Sequence, residues 1–528
     1  MRRLATDYVA DHAALAPFFA GNPAESEAWS RAIAAATAHP RPRAAVSAML
    51  AAQQERRGAP AESVAAARAL AEPGTVAIVT GQQAGLFGGP LFTLLKALTA
   101  IAVARDVERE HGVRAVPVFW IDAEDHDWAE VRGAAVLDAE LARRVVSAEP
   151  PEGAGTHAVG SLCWRDAIGA TVAELFSVLP PTDFTPWLQE LVGRAYVPGV
   201  TVAESFGRLL EQVLGPHGLV VYDSSDAAAK PLLAELFAAE LEHAGRTALA
   251  AARAGADLVA RGYHMQVTPH AGAAALFELV GGRRPIRKEG DSFVVGDDTQ
   301  VPAAALVARA RTHPEDFSPN VLLRPIAQDT LFPTVCYVAG PNELAYIAQL
   351  KGAYEAFGVP MPLVMPRESA TLVDAAAARF LSKHAVAYES LQANDELALN
   401  ELLRALLPEQ VERALADAKA ALAARMQDVI AAMPLVDATL EGRARSALGK
   451  MEHELEGLGA KVLQAAKRRD ETLRRQFVHT RTQAFPDGEP QERAIGAVSF
   501  LNRYGPALVT RLLDELQPGG RHHWVITI

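Results

Sequence analysis

Short unbroken apolar runs, each closed by a polar loop, recur through the first two-thirds of the chain. Val76–Val79 leads into Thr80-Gly81-Gln82-Gln83-Ala84-Gly85, and Val116–Ile121 into Asp122-Ala123-Glu124-Asp125-His126-Asp127. Leu219–Tyr222 leads into Asp223-Ser224-Ser225-Asp226, and Thr334–Val338 into Gly340-Pro341-Asn342-Glu343. Leu363–Met365 leads into Pro366-Arg367-Glu368-Ser369. Runs that are apolar at every position suit strands buried on both faces. Between the first two runs, Pro90 opens a helix whose stripe is Leu91, Leu94, Leu95, Leu98, Ile101 and Ala102. Strand, helix and strand make a βαβ unit, which crosses over right-handed into a parallel sheet. In an open sheet of this kind ligands bind outside the carboxyl ends of the strands, so the five loops are expected to ring one cleft.

Two stretches interrupt the pattern. Residues 133–217 are too long for a simple connection and carry Pro150-Pro151 and Pro180-Pro181, which predicts a mostly helical insertion. Residues 264–300 hold three β-like runs around a Gly281-Gly282 turn and predict a small meander. Residues 1–72 are Ala-rich with helical spacing. Residues 1–370 thus form a helical lead-in and a Rossmann-like α/β core with two connecting insertions. From about 371 glycine thins out and Ala, Leu, Glu, Lys and Arg dominate. Pro408–Ala432 and Val436–Thr482 predict an antiparallel helical coiled coil within a 371–486 domain. The second helix would span about 70 Å at about 1.5 Å per residue. A stripe that long calls for a partner helix and, in preference to an intramolecular bundle, a second copy of the chain as a homodimer. A tail over 487–528 is expected to pack back on the core or the coiled coil, its last run, His522–Ile528, adding a strand.

Composition narrows the function classes. The 528 residues are half apolar, and the formal net charge is −12. That charge argues against a nucleic-acid partner, because phosphate-backbone affinity comes from Lys and Arg displacing counterions. The two cysteines, Cys163 and Cys336, form no CxxC pair, which excludes a disulfide framework and a Cys-rich zinc site. Asp7 and Asp11 interrupt any apolar leader, and Leu86–Ala104, with Lys96 at its middle, fits a buried amphipathic helix. The expectation is a soluble cytoplasmic protein with no membrane partner.

The loops carry the candidate chemistry. Thr80, Gly81, Gln82, Gln83 and Gly85 form a glycine-bearing turn whose backbone N–H groups suit an anion at a helix N-terminus; the turn has no Walker lysine. Four acids and a histidine crowd the second loop. His126 beside Asp125 or Asp127 makes an oriented general base, with Glu124 nearby for substrate, and the same carboxylates suit Mg2+. Were the loop helical, Asp122, His126 and Glu130 would share a face. An acidic helix N-terminus explains the acids but not the histidine. Arg324, Gln328 and Arg367 stand next to later strands, where an arginine offers two-pronged carboxylate or phosphate recognition; Lys96 ranks below the two arginines. Arg493, Asn502 and Tyr504 form a second candidate site, for a nucleotide, with docking of the tail as the competing role.

Five stretches together resemble one family, the bacillithiol biosynthesis cysteine-adding enzymes (the BshC family of cysteine ligases). They are TGQQAGLFGGPLFTLLK at 80–96, VPVFWIDAEDHDWAEV at 116–131, LLRPIAQDTLFPTVCYVAGPNELAYIAQL at 322–350, MPRESAT at 365–371 and PQERAIGAVSFLNRYG at 490–505. The resemblance runs end to end and in order. It implies a Rossmann-like core, a dimerising coiled coil, and amide formation between cysteine and the amino group of glucosamine-malate. Three positions depart from the family's commoner pattern: Asp122-Ala123 for Ala-Gly, Asp329 for Glu after Gln328, and Asn342 for Gly.

On that implied reaction, Arg324 or Arg367 binds the malate carboxylate, and His126 takes the amine proton. The TGQQ loop with Gly340, Pro341, Asn342 and Glu343 positions the sugar and the activated cysteine. Activation suggests ATP or another nucleotide, inferred from the reaction because no nucleotide fingerprint is present. Two other classes remain open: a different nucleotide-dependent ligase or nucleotidyltransferase on the same core, and a non-catalytic coiled-coil scaffold.

Overall fold

The apolar runs become a five-stranded parallel sheet. In chain order it is built from β1 (Val76–Gln82), helix α1 (Leu91–His111), β2 (Ala115–Ile121), the short helix α2 (Trp128–Val131) and β3 (Val220–Asp223). Helix α3 (Arg324–Leu331), β4 (Thr334–Ala339), helix α4 (Pro341–Ile347) and β5 (Leu363–Pro366) follow. The structure is a computed structural model that describes residues 3–270, 272–392, 397–405, 407–469, 471–519 and 522–528.

The strands lie in the order β3-β2-β1-β4-β5, all parallel. The order reverses between β1 and β4, and that reversal opens a crevice at their carboxyl ends. Both faces are covered, which is why the runs are apolar throughout. Val76, Ile78, Cys336 and Val338 pack with Ala100, Val103 and Val107 of α1 and with Trp29. Ala77, Val79, Trp120, Tyr222 and Tyr337 pack into the opposite layer with Phe332 and Leu350. Gly112, with φ of 63°, ends α1 in the left-handed conformation that glycine adopts without a Cβ penalty.

The chain divides into two units. Met1–Ala370 with Glu492–Trp524 form one, and Thr371–Gln491 with Val525–Ile528 the other. Within the first, the 133–217 insertion starts as a hairpin, Gly133–Leu137 with Arg143–Ser147, and continues as three helices between Ala167 and Leu214. The 264–300 meander is four strands, and Phe317–Pro319 joins its edge to make a five-stranded sheet. After β4, α4 is followed by a separate helix, Lys351–Phe357.

The second unit is the helical one. Glu409–Ala432 and Leu440–Arg469 form a hairpin bridged by a Lys419–Glu456 ion pair of 2.8 Å. The single helix of about 70 Å expected from Val436 to Thr482 is two helices: Leu440–Arg469, about 45 Å long at about 1.5 Å per residue, and Glu471–Ala484. At the base, Phe380, Leu391, Leu403, Leu463, Leu473 and Phe477 close a small core. The expected terminal strand is Trp524–Thr527, in a two-stranded sheet with Ala370–Val373.

Candidate active site

A cleft of about 570 Å³ opens at the reversal point. Gly81, Gln82 and Gln83 follow β1, Asp122 and Asp125 follow β2, Gly340 to Glu343 follow β4, and Arg367 follows β5. Four of the five expected loops therefore meet there. The fifth, after the edge strand β3, braces a neighbour: Ser224 Oγ accepts from Ala123 N–H (3.2 Å) and donates to the Ile121 carbonyl (2.9 Å). Gly81 is held to glycine by a close approach, since a Cβ would fall 2.7 Å from the Trp120 carbonyl oxygen.

The floor carries a buried charge network. Lys96 of α1 is 1% exposed; its Nζ donates to the Gly81 carbonyl, to Gln82 Oε1 (3.3 Å) and to Glu343 Oε2 (2.6 Å). Glu343 also accepts from the Tyr337 hydroxyl (2.6 Å) and from Gly340 N–H (2.7 Å). Burial pushes the Glu343 carboxyl up, but Lys96 and the other donors outweigh it and hold it below the usual carboxylate range. Burial lowers Lys96, and Glu343 works against that shift.

Arg324 stands beside this network, 8% exposed, with Trp120 and Tyr337 ring centres 5.7 and 5.5 Å from its guanidinium carbon. It donates to Gln328 Oε1 and to the Tyr346 hydroxyl, both at 3.2 Å. Gln328 donates to Asp329 (2.8 Å), which also accepts from the Tyr354 hydroxyl (2.5 Å). Burial pushes the Asp329 carboxyl up to about 6. Among the described residues no carboxylate pairs with Arg324.

The other wall is acidic. Asp125 accepts from Arg283 Nη1 (3.0 Å), Gln83 Nε2 (2.9 Å) and His126 N–H (2.8 Å). Burial raises its carboxyl, and Arg283 with the other donors more than reverses this, leaving it below the usual range. Arg283 comes from the meander's Gly281-Gly282 turn and lies over the Phe277 ring (4.0 Å), so the second insertion reaches into the cleft. Asp122 is half-buried, and no hydrogen-bond donor among the described residues reaches its carboxylate. Burial pushes it up, Arg324 opposes this, and Asp125 adds to it.

Two family models cover the chain: the BshC N-terminal Rossmann-like domain of bacillithiol biosynthesis matches residues 1–368, and the BshC C-terminal coiled-coil domain matches 370–528. The chain belongs to the BshC family. A relative from Salinibacter ruber, named "Putative cysteine ligase BshC", is 34% identical over 528 residues, covering 99% of this chain and 96% of its own. Relatives of the same name from Chlorobaculum tepidum (33%, 85% and 82% covered) and Symbiobacterium thermophilum (34%, 98% and 96% covered) agree with it.

Not every residue expected at this BshC-family site lies in it. Residues 122–127 are not helical, so Asp122, His126 and Glu130 share no helix face; Asp127 instead caps α2, accepting from Glu130 N–H at 3.2 Å. His126 is half-exposed and does not line the cleft; its Nδ1 lies 3.3 Å from Asp125 Oδ1, which does. Glu124, 5% exposed, turns away into an ion pair with Lys230, whose Nζ also donates to the Phe317 carbonyl (2.9 Å). Thr80 is fully buried and bonds the Val338 carbonyl at 3.0 Å. Gly85 lies under the loop, where a Cβ would sit 2.9 Å from Gly89 Cα. The N-terminus of α1 holds no anion cradle, because Leu91 N–H donates to the Ile495 carbonyl at 2.8 Å.

Arg367 is in the cleft, but Glu492 already grips both its prongs (2.8 and 2.6 Å), so it does not wait for a substrate carboxylate. Arg493 is also in this cleft, beside the Phe92 ring (5.7 Å), and not at a separate site. Asn502 is fully buried and spends its amide on the Pro180 carbonyl (2.8 Å) and the Thr185 hydroxyl (3.0 Å). Tyr504 does not line the cleft either, so no nucleotide site forms from these three. Lys96, ranked below the arginines, is central. Arg283, Tyr337 and Tyr346 escaped the sequence because nothing local marks them as neighbours of the loops.

Proposed function

We propose that the chain is a cysteine ligase of bacillithiol biosynthesis, joining the carboxyl of cysteine by an amide bond to the amino group of glucosamine-malate. Family membership and the names of its relatives support the reaction class. The observation that carries the substrate is Arg324. A guanidinium buried this deeply and opening on a cleft, without a carboxylate of its own, calls for an anion. A malate carboxylate supplies one with matching two-pronged geometry. The side-chain amides of Gln82 and Asn342 offer donors and acceptors to sugar hydroxyls.

In amide formation the sugar nitrogen attacks the activated cysteine carboxyl carbon. The C–N bond forms, the bond to the leaving group breaks with its electron pair, and the ammonium sheds one proton before attack and one after. His126, steadied by the cleft residue Asp125, takes a proton and passes it to solvent. ATP or another nucleotide with Mg2+ is the class of agent that activates a carboxyl. The residues here do not fit a built site for either. Arg493, Asn502 and Tyr504 do not converge, and among the described residues no three His, Cys, Asp or Glu side chains group as metal ligands. The steps assigned to this chain's residues therefore run through neither. No helix among the described residues is long and apolar enough to cross a membrane. A second copy is part of the proposal, because Leu435, Val436, Met451 and Leu458 leave apolar positions of the helical hairpin uncovered.

The test is to supply cysteine, glucosamine-malate, ATP and Mg2+ and look by mass spectrometry for the amide product. Product only with other amines or acids would move the chain to a different ligase reaction.

A further inference from the structure

Among the described residues, one carboxylate sunk in the acidic wall of the cleft has no donor. Of the carboxylates sunk in the walls, Asp125 is satisfied by Arg283 and Gln83, and Glu343 by Lys96, Tyr337 and Gly340 N–H. Glu130 lies at the mouth, exposed. Asp122 follows β2 directly, and its backbone N–H is fixed to the Gln82 carbonyl at 2.9 Å, so its position is set by the sheet. The charged groups that face it are Arg324 from α3, Asp125 from its own loop, Arg283 from the meander and Glu343 from α4. Neither arginine forms an ion pair with it. A half-buried carboxylate set beside two others and given no hydrogen-bond donor is a cost the fold gains nothing from.

We propose that Asp122 is the acceptor for a primary ammonium group of a substrate and, with Arg324 in the same cleft, sets the direction in which that substrate lies. The inference rests on the ligase reading above. Both proposed substrates bring a primary amine: cysteine its α-ammonium, glucosamine-malate its sugar ammonium. Arg324 takes the anionic end and Asp122 the cationic end, so a zwitterionic molecule fits in one orientation only. An ammonium at Asp122 also relieves its repulsion with Asp125 and Glu343. Asp122 is thus a recognition residue, distinct from the proton acceptor His126.

Calorimetric titration of the full chain and of Asp122→Asn tests this with four probes: L-cysteine, its des-amino analogue 3-mercaptopropionate, glucosamine-malate, and the N-acetylated form of glucosamine-malate. The substitution is expected to weaken binding of one amine probe by about 10- to 140-fold, the worth of a charge-assisted hydrogen bond. Binding of the analogue that lacks the ammonium should not weaken, and the probe affected identifies the amine. Asp122→Glu should recover part of the loss. Thermal unfolding separates recognition from structure: Asp122→Asn should melt no lower than the parent, since it removes only an unpaired charge. Amine probes that bind both proteins alike within twofold would overturn the assignment while leaving the ligase reading intact. A lower melting point with unchanged affinities would overturn it too. If neither cysteine nor glucosamine-malate binds the unaltered chain, the ligase reading fails and takes this assignment with it.

Discussion

Replacing Lys96 by methionine tests the charge network on the cleft floor. The side chain is 1% exposed and its Nζ meets three acceptors, so methionine keeps most of the packing volume while removing the charge. Glu343 then loses its cationic partner but keeps the Tyr337 hydroxyl and Gly340 N–H. Removing one partner of a buried pair costs about 3–5 kcal/mol, and the two surviving donors place this case near 3 kcal/mol. The sign of the pH dependence follows from Glu343, whose carboxyl in the parent sits below its unfolded value. Its contribution is present above the unfolded pKa and is lost as pH falls through the folded one. Without Lys96, burial raises the carboxyl instead, so the variant's deficit is largest at neutral pH and shrinks on acidification. Urea unfolding of parent and variant at pH 7 and pH 5, followed by circular dichroism, measures this. The double variant Lys96→Met with Glu343→Gln should recover at least half of the loss, because no lone charge remains. A deficit below about 1 kcal/mol at pH 7 would refute this account of the floor, given the about 3 kcal/mol expected. A deficit that does not change with pH would refute it equally.

Three further outcomes are expected. Arg324→Lys keeps a positive charge but loses the fork and the ring stacking; glucosamine-malate affinity should fall by about 100-fold, read by calorimetry, with circular dichroism unchanged. Glu124→Gln strands Lys230 and should cost about 3 kcal/mol in urea unfolding, while substrate affinity changes little because Glu124 faces away from the cleft. Asp329, whose carboxyl is raised to about 6, costs the fold stability as pH rises from its unfolded value through about 6. Asp329→Asn removes that cost, so its stability relative to the parent should improve by on the order of 2–3 kcal/mol between pH 3 and pH 8, measured by urea titration.

The parallel sheet was readable from the sequence because burial on both faces leaves a mark at every residue of a strand. Val116 to Ile121 has no polar position, and a run like that admits few other placements. The same uniformity hides the site. With every strand position apolar, nothing in Thr334–Ala339 says that Tyr337 turns its hydroxyl to Glu343 while Cys336 packs against α1. The coiled coil shows the complementary case. Its three- and four-residue spacing marks helix without marking an end, so a continuous rod was expected where two helices stand.

Charge partners were the least legible feature, and the reason is distance along the chain. Arg367 reads as a waiting anion receptor until Glu492, 125 residues away, is seen to hold both its prongs. Glu124 reads as a site residue until Lys230, 106 residues away, is seen to hold it in a buried ion pair. Lys96 looks like a helix residue among many until it is found beside Glu343, 247 residues away. In each case the local residue type was right about chemistry and silent about whether that chemistry was already spent. What separates site from scaffold in this cleft is therefore satisfaction: the side chains whose charge the protein answers build the walls. Arg324 and Asp122, which line the same cleft without an ion-pair partner, define a place for a molecule carrying one charge of each sign.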